Sequence, residues 1–401
     1  MSMERYCFSC FRELEEGQSV CPACGYSEEQ DAGEFPLALP HNTILNGRYI
    51  TGRILGQGGF GITYTAQDWK TKQLVAIKEY LPDTMATRVG STTVSVYSGE
   101  RAENFNFGKA SFLQEAETLA EFNGNPNIVG IHSYFEENGT AYFVMDYVQG
   151  ISFQKYIREQ GGKVSWQDAQ RILLPVMNAL AAVHSKGIIH RDVTPDNIIL
   201  ASDGTVKLLD FGAARYSLGD RSRSLDVVLK HGFAPKEQYT RHGRQGAYTD
   251  VYTLAASFYF AITGRKPPDS IDRLEEDDLI PPSSLGIEIP EQLEEAILKG
   301  LAVSIGDRYP DMIQFREAVV GSSGYEAFAK YNPQPKLTRV EWKPESVSEE
   351  DPMTFADAEP GQEPVATVTL GRFCGACGAD LSDRSNAIRF CPKCGKSLLN
   401  E

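Results

Sequence analysis

Apolar spacing changes period once along this chain, near Gly150, and that change limits the fold more than any other feature. Before it, apolar residues come in short runs at 49–55, 62–66, 73–78, 128–131 and 141–145, separated by Gly, Asp and Lys as hairpins require. One helical stretch interrupts them: 112–122 places Phe112, Ala116, Leu119 and Ala120 on a common face. Residues 81–108 read as a long loop. After Gly150 the period lengthens to that of helices. Residues 166–184 carry a continuous stripe in which Pro175 predicts a kink. Residues 248–263 and 291–302 predict two further helices. A β-rich half followed by a helical half predicts an α+β chain folded in two lobes.

All eight cysteines lie outside that body, and all fall in Cys-x-x-Cys pairs. Cys7/Cys10 and Cys21/Cys24 stand near the start, Cys374/Cys377 and Cys391/Cys394 near the end. Ten residues separate the first two pairs and thirteen the second two. That spacing suits one tetrahedral zinc site of four cysteines at each end. Both stretches, 1–28 and 371–401, look like zinc ribbons, too small to fold without metal. Redox-active dithiols are the alternative. Structural or docking use is the simpler purpose, on the two lobes themselves or on partner proteins. Nucleic-acid binding is the sharper one: Glu13, Glu15, Glu16, Glu28 and Glu29 argue against it for the first module, while Arg372, Arg384, Arg389, Lys393 and Lys396 leave it open for the second. Residues 29–47 read as a polar linker and 323–370 as an acidic tether. Between 341 and 363 eight acidic residues face one basic residue, Lys343, so this stretch cannot bury a core and is expected to be disordered.

The formal net charge of −15 argues against a general nucleic-acid binder. There is no run of 18 apolar residues and no apolar stretch behind the first five residues. The expectation is therefore a cytoplasmic protein without a membrane span, in which thiols stay reduced and available to metal.

Three short segments carry chemistry. Gly56-Gln57-Gly58-Gly59-Phe60-Gly61 lies between two strand patterns, where glycine lets a backbone approach phosphates closely. A strand follows it rather than a helix, which disfavours a dinucleotide fold. Val75-Ala76-Ile77-Lys78 places a lysine on a strand with a buried pattern, a rare arrangement unless the charge is paired. Glu115 on the next helix is the natural partner and Glu117 the rival. His190-Arg191-Asp192-Val193-Thr194-Pro195-Asp196-Asn197, followed by Asp210-Phe211-Gly212, sets one carboxylate to accept a proton from an attacking hydroxyl, with Asn197 and Asp210 able to hold Mg²⁺.

Together with Ala234-Pro235-Lys236-Glu237, Asp250 and Arg308, these motifs resemble a protein kinase of the bacterial Ser/Thr type over roughly 48–322, with an N-lobe at 48–148 and a C-lobe at 149–322. The resemblance implies ATP and Mg²⁺ as cofactors and Ser/Thr hydroxyls of protein substrates as acceptors, the chain itself included. It implies that Lys78 and the 56–61 backbone hold phosphates, that Asp192 orients or deprotonates the hydroxyl, and that Asn197 and Asp210 bind Mg²⁺. It places Ala76 and Ile199 around adenine, Met145 as gatekeeper, and Asp146, Tyr147 and Val148 as the backbone edge. Asp250 would anchor the catalytic loop, and Glu237 would pair with Arg308. Small-molecule kinases usually lack both Asp-Phe-Gly and Ala-Pro-x-Glu, which favours a protein acceptor. The alternative is a pseudokinase scaffold that binds nucleotide or partners without transfer.

Three positions depart from the pattern. Thr63 replaces a valine over adenine, and Lys236 replaces a more common small or apolar residue. Thr194 stands where such kinases usually carry a lysine that meets the γ-phosphoryl group. The threonine that usually accompanies that lysine, in the segment before Ala234, is not evident either. Lys230, in that segment, is the candidate for the missing charge. Arg191 is expected to meet a phosphorylated activation segment, with Ser217, Ser222 and Ser224, among Arg215, Arg221 and Arg223, as the acceptors.

Overall fold

Alternating strands separated by tight turns fold back on one another, and here they do so along most of the first half of the chain. The computed structural model describes residues 5–15, 17–28, 35–209, 215–216, 229–239 and 243–321, with only the backbone of 215–216. Asp210-Phe211-Gly212, the three serines and two of the arginines of the activation segment, the tether and all four C-terminal cysteines lie outside the described residues.

The strands before Gly150 are β1 (Arg5–Tyr6), β2 (Glu13–Leu14), β3 (Ile44–Leu45), β4 (Tyr49–Gly58), β5 (Gly61–Asp68), β6 (Leu74–Tyr80), β7 (Ala86–Val89), β8 (Thr93–Val96), β9 (Ile131–Glu137) and β10 (Thr140–Asp146), with helix α1 (Glu100–Ala120) before β9. Six of them form one sheet in the order β3-β4-β5-β6-β10-β9. After it come β11 (Gly150–Ser152), α2 (Phe153–Glu159), α3 (Trp166–His184), β12 (Ile188–Ile189), β13 (Ile198–Ala201), β14 (Val206–Leu208), β15 (Arg215–Tyr216), α4 (Lys236–Tyr239), α5 (Ala247–Thr263), α6 (Glu291–Gly300) and α7 (Met312–Gly321). The result is a β-rich lobe and a helical lobe, as the change of period predicts.

Two expectations need correction. The stretch 81–108 is not a loop: β7 and β8 pair around Gly90, and α1 begins at Glu100. The signal was present, since Thr87/Val89 and Val94/Val96 alternate about a glycine with φ +68°. The linker 29–47 also extends too far, because β3 is the edge strand of the large sheet and Leu39 and Leu45 are buried in its core. Helix α3 runs from Trp166 to His184 with Pro175 inside it. It packs against α5 and α7, and that burial outweighs the one backbone hydrogen bond a proline removes.

Helix α5 is apolar nearly all round and buried at most of its positions, so it is the central helix of its lobe. Near its start Arg308 Nη1 meets Glu237 Oε1 at 2.8 Å, both side chains almost fully buried, which bears out that expected pair. Removing one partner strands the other charge away from water. Arg308→Met should therefore destabilise the chain by about 3–5 kcal/mol, read as a lower urea midpoint. An unchanged midpoint would contradict this role for the pair.

The first cysteine module packs on the β-rich lobe. Arg53 N–H donates to Phe8 O at 2.7 Å and Thr65 Oγ1 donates to the same oxygen at 3.0 Å. This approach requires Gly52, because a Cβ there would stand 2.0 Å from Phe8 O. Phe11 takes φ +56°, the conformation that Gly25 takes after the second cysteine pair with φ +69°. A phenylalanine tolerates that conformation here because its ring is buried against Gly52.

Candidate active site

Strand register decides which side chains face the cleft between the lobes. Thr63 pairs with Lys78 and Lys78 with Phe143, while Ala76 pairs with Met145. Side chains two apart on a strand share a face, so Ala76, Lys78, Phe143 and Met145 line one wall. The cavity they bound measures about 820 Å³. It is also lined by Gly56, Gln57, Gly58, Gly59, Phe60, Gly61, Asp146, Val148, Asp192, Asn197, Ile199 and Lys230. The structure thus brings together nearly every expected site residue among the described ones. Glu115 does not line this cavity. It is half-buried on α1 with Oε1 closed off from solvent, whereas Glu117 is exposed.

The glycine motif is a hairpin: Gly58 pairs with Gly61 across a two-residue turn. Gly61 is demanded by the fold, since its φ is +155° and a Cβ would stand 1.8 Å from Glu79 O. Gly56 and Gly58 are not demanded by it, because a Cβ at either would meet nothing within 4 Å.

The opposite face of β6 carries Glu79, a residue that no sequence motif marks. It is fully buried, 2.5 Å from Arg88 Nη2, and accepts hydrogen bonds from Tyr64 at 2.8 Å and Tyr142 at 2.7 Å. Burial and the neighbouring carboxylate push both phenols up. This closed polar cluster fixes β5, β6, β7 and β10 together behind Lys78.

Across the cleft, Asp192 sits on a loop held from below by Asp250. Asp250 Oδ2 accepts from His190 N–H at 2.7 Å and Oδ1 from Arg191 N–H at 2.6 Å, and His184 Nε2 lies 2.7 Å from Oδ2. Full burial would push this carboxyl up, but the hydrogen bonds and charge of His184 and the backbone N–H groups hold it below the ordinary range. These bonds keep Arg191 at φ +73°, a conformation costing about 1–3 kcal/mol in a non-glycine residue. Sequence could not have found His184, because nothing local marks a partner 66 positions from Asp250.

Asn197 Nδ2 donates to Asp192 O at 2.8 Å and to Asp192 Oδ2 at 2.9 Å. His190 closes the next link: its Nδ1 accepts from Asp192 N–H at 3.3 Å, so Nε2 carries the proton donated to Leu209 O at 2.8 Å. Leu209 N–H in turn donates to Asn197 O at 2.8 Å. The chain leading into Asp210 is therefore tied to both ends of the catalytic segment. Lys230 Nζ reaches the same place, 2.8 Å from Thr194 Oγ1 and 3.2 Å from Asp192 Oδ2. Arg191 Nε donates to Gln245 Oε1 at 2.5 Å and Gln238 Nε2 to Arg191 O at 2.8 Å, so this arginine meets a neutral amide among the described residues.

A glycine hairpin and a buried lysine facing an Asp–Asn pair define a phosphotransferase of the protein-kinase type. The chain belongs to the protein kinase family: the family's protein kinase domain matches residues 49–294, more than half its length. It is 29% identical to the probable serine/threonine-protein kinase PknB of Bifidobacterium longum, over 80% of this chain and 46% of that one. It is 34% identical to serine/threonine-protein kinase D of Synechocystis sp., over 56% of this chain and 43% of that one. The chain spans less than half the length of these curated relatives. The solved apo form of PpkA-294 is 33% identical, with a TM-score of 0.61 over 71% of this chain and 99% of that one. Family membership carries ATP and Mg²⁺ with it.

Replacing Asp250 by Asn keeps its size but turns one acceptor oxygen into a donor facing backbone N–H groups. Asp250→Asn should cost about 1–3 kcal/mol of stability, measured by urea denaturation. A midpoint equal to wild type would remove Asp250 as the anchor of the loop.

Proposed function

We propose that this chain is an ATP- and Mg²⁺-dependent protein kinase that transfers the γ-phosphoryl group to Ser/Thr hydroxyls of protein substrates, its own included. The observation that carries this reading is the meeting of the Asp192–Asn197 pair with the glycine hairpin and Lys78 around one cavity. A hydroxyl oxygen bonds to the γ-phosphorus as the bond to the β–γ bridging oxygen breaks and ADP leaves with that electron pair. The hydroxyl proton passes to Asp192. Lys78 and the hairpin backbone hold phosphates, and the openness above Gly56 and Gly58 leaves room for their approach. Met145, Ala76 and Ile199 surround adenine, with the 146–148 backbone along its edge. Asn197 directs its amide nitrogen at Asp192, so its oxygen is the atom offered to a hard cation. Asp210 would be the second such ligand. Mg²⁺, when bound, neutralises charge on the phosphate oxygens. Glu115, inward on α1, is the partner we assign to Lys78.

The direct test is phosphoryl transfer from γ-labelled ATP with Mg²⁺, to the chain itself and to dephosphorylated casein. Asp192→Asn should lower labelling at least about 10²-fold. Equal labelling by wild type and variant would sink the kinase reading, and a scaffold that binds nucleotide without transfer would replace it.

We also propose that Cys7, Cys10, Cys21 and Cys24 hold one structural zinc. Their four sulfurs lie within 4.8 Å of one another. Cys7 Sγ is 3.5 Å from Cys24 Sγ and Cys10 Sγ is 3.7 Å from Cys21 Sγ. A tetrahedral site with Zn–S bonds of about 2.3 Å separates its sulfurs by about 3.8 Å, whereas a disulfide needs about 2.05 Å. Zinc, when bound, cross-links the two halves of a module too small to bury a core. The support of this module against β4 and β5 gives it a bracing use for the strands that carry the glycine hairpin. Cys374, Cys377, Cys391 and Cys394 form the second proposed site, with docking of partner proteins as its use. We assign the protein to the cytoplasm; among the described residues no helix is long and apolar enough to cross a membrane. Elemental analysis should find two zinc ions per chain, and one in Cys7→Ser/Cys10→Ser. A wild type without zinc would leave the redox-dithiol reading in its place.

A further inference from the structure

The catalytic loop carries Thr194 where the family resemblance implies a lysine. The activation segment lacks the accompanying threonine and carries Lys230 four residues before Ala234. The two side chains meet. Lys230 Nζ donates to Thr194 Oγ1 at 2.8 Å and lies 3.2 Å from Asp192 Oδ2 and 4.0 Å from Asp196 Oδ2. Thr194 is buried and precedes the 3₁₀ turn Pro195–Asn197, a place where a threonine hydroxyl ordinarily caps backbone N–H groups. It makes no such bond. Its hydroxyl accepts the ammonium instead.

The backbone that delivers Lys230 is well held. Phe233 N–H and Ala234 N–H both donate to Lys230 O, at 2.9 and 3.1 Å. Asp269 accepts from Gly232 N–H and meets His231 Nδ1, while Ser270 Oγ donates to Ala234 O. The side chain is about a third exposed, and it lines the same cavity as Asp192, Asn197 and the glycine hairpin. A lone surface ion pair has a loosely defined geometry and little energy. An ammonium among a hydroxyl and two carboxylates, on a backbone held from Lys230 to Ala234, has a defined place.

We propose that Lys230 is the cation that meets the γ-phosphoryl charge, with Thr194 as its positioning residue, so that the usual lysine–threonine pair is kept with its ends exchanged. This rests on the phosphotransferase reading above. Lys230 forms and breaks no covalent bond. It balances charge on the transferring oxygens while the new oxygen–phosphorus bond forms, the bond to the bridging oxygen breaks, and the proton passes to Asp192. Because the charge comes from the activation segment, displacing residues 230–234 would remove it from the site. Catalysis and the docking of that segment are thereby coupled.

The test is a double-mutant cycle on the full chain, followed with γ-labelled ATP, Mg²⁺ and casein, with binding of a fluorescent ATP analogue and melting temperature measured alongside. Lys230→Thr and Lys230→Ala should lower kcat by about 10²–10³-fold, with nucleotide affinity and melting temperature close to wild type. Thr194→Lys alone should also be impaired, since it sets two ammonium groups together. The exchange variant T194K/K230T should be at least tenfold more active than either single variant at those positions. Wild-type kcat in Lys230→Ala overturns the proposal. So does an exchange variant no better than Lys230→Thr, or a loss of activity that follows melting temperature and nucleotide binding. A wild type with no Asp192-dependent labelling is a separate failure, that of the kinase reading itself.

Discussion

The site depends on one buried charge. Asp250 projects from a helix that is otherwise apolar nearly all round, and it remains a carboxylate because two backbone N–H groups and His184 converge on it. Its two oxygens hold consecutive residues of the loop, His190 and Arg191. That clamp supports the positive φ of Arg191 immediately before Asp192. From there the order is passed on by His190 to Leu209 and by Leu209 to Asn197. Ser257, also on α5, adds a hydrogen bond to Val193 O at 2.7 Å. One helix thus holds the loop from behind while leaving the Asp192 carboxylate partly exposed to the cleft.

The β-rich lobe solves a related problem by alternation. Lys78 and Glu79 are adjacent charges on a buried strand, and period two sends them to opposite faces. Lys78 faces the cavity, and Glu79 is neutralised by Arg88 within a closed set of hydrogen bonds. Strands β4 and β5 receive a second support from the first cysteine module through the shared acceptor Phe8 O. The hairpin that would cover phosphates is therefore an extension of strands braced on two sides.

Much of this was legible in the residues. Two lobes follow from the change of period at Gly150, and the helices at 166–184 and 248–263 are nearly as the stripes predict. The residues expected to hold nucleotide were identified by their motifs and line the cavity, and Glu237 with Arg308 was expected from the family resemblance. The β7–β8 hairpin was missed because polar Thr and Ser share its alternation, which weakens the apolar signal. Glu79 was missed because a carboxylate beside a motif lysine reads as an exposed strand residue. Its partner Arg88 lies in the stretch that reads as a loop.

Chemistry and spacing along the chain sufficed for Asp192, Asn197, Lys78 and the glycine hairpin, because each lies in a short segment whose residue types answer one chemical need. The family resemblance marked Thr194 as an anomaly and Lys230 as the candidate to relieve it. Only the folded chain settled whether the two meet, since 36 positions separate them and no local pattern measures that distance. The same holds for His184 and Asp250, and for Phe8 against Gly52. Local periodicity reports which face of an element is buried. Which distant side chain arrives there is decided by packing the lobes and anchoring the loops.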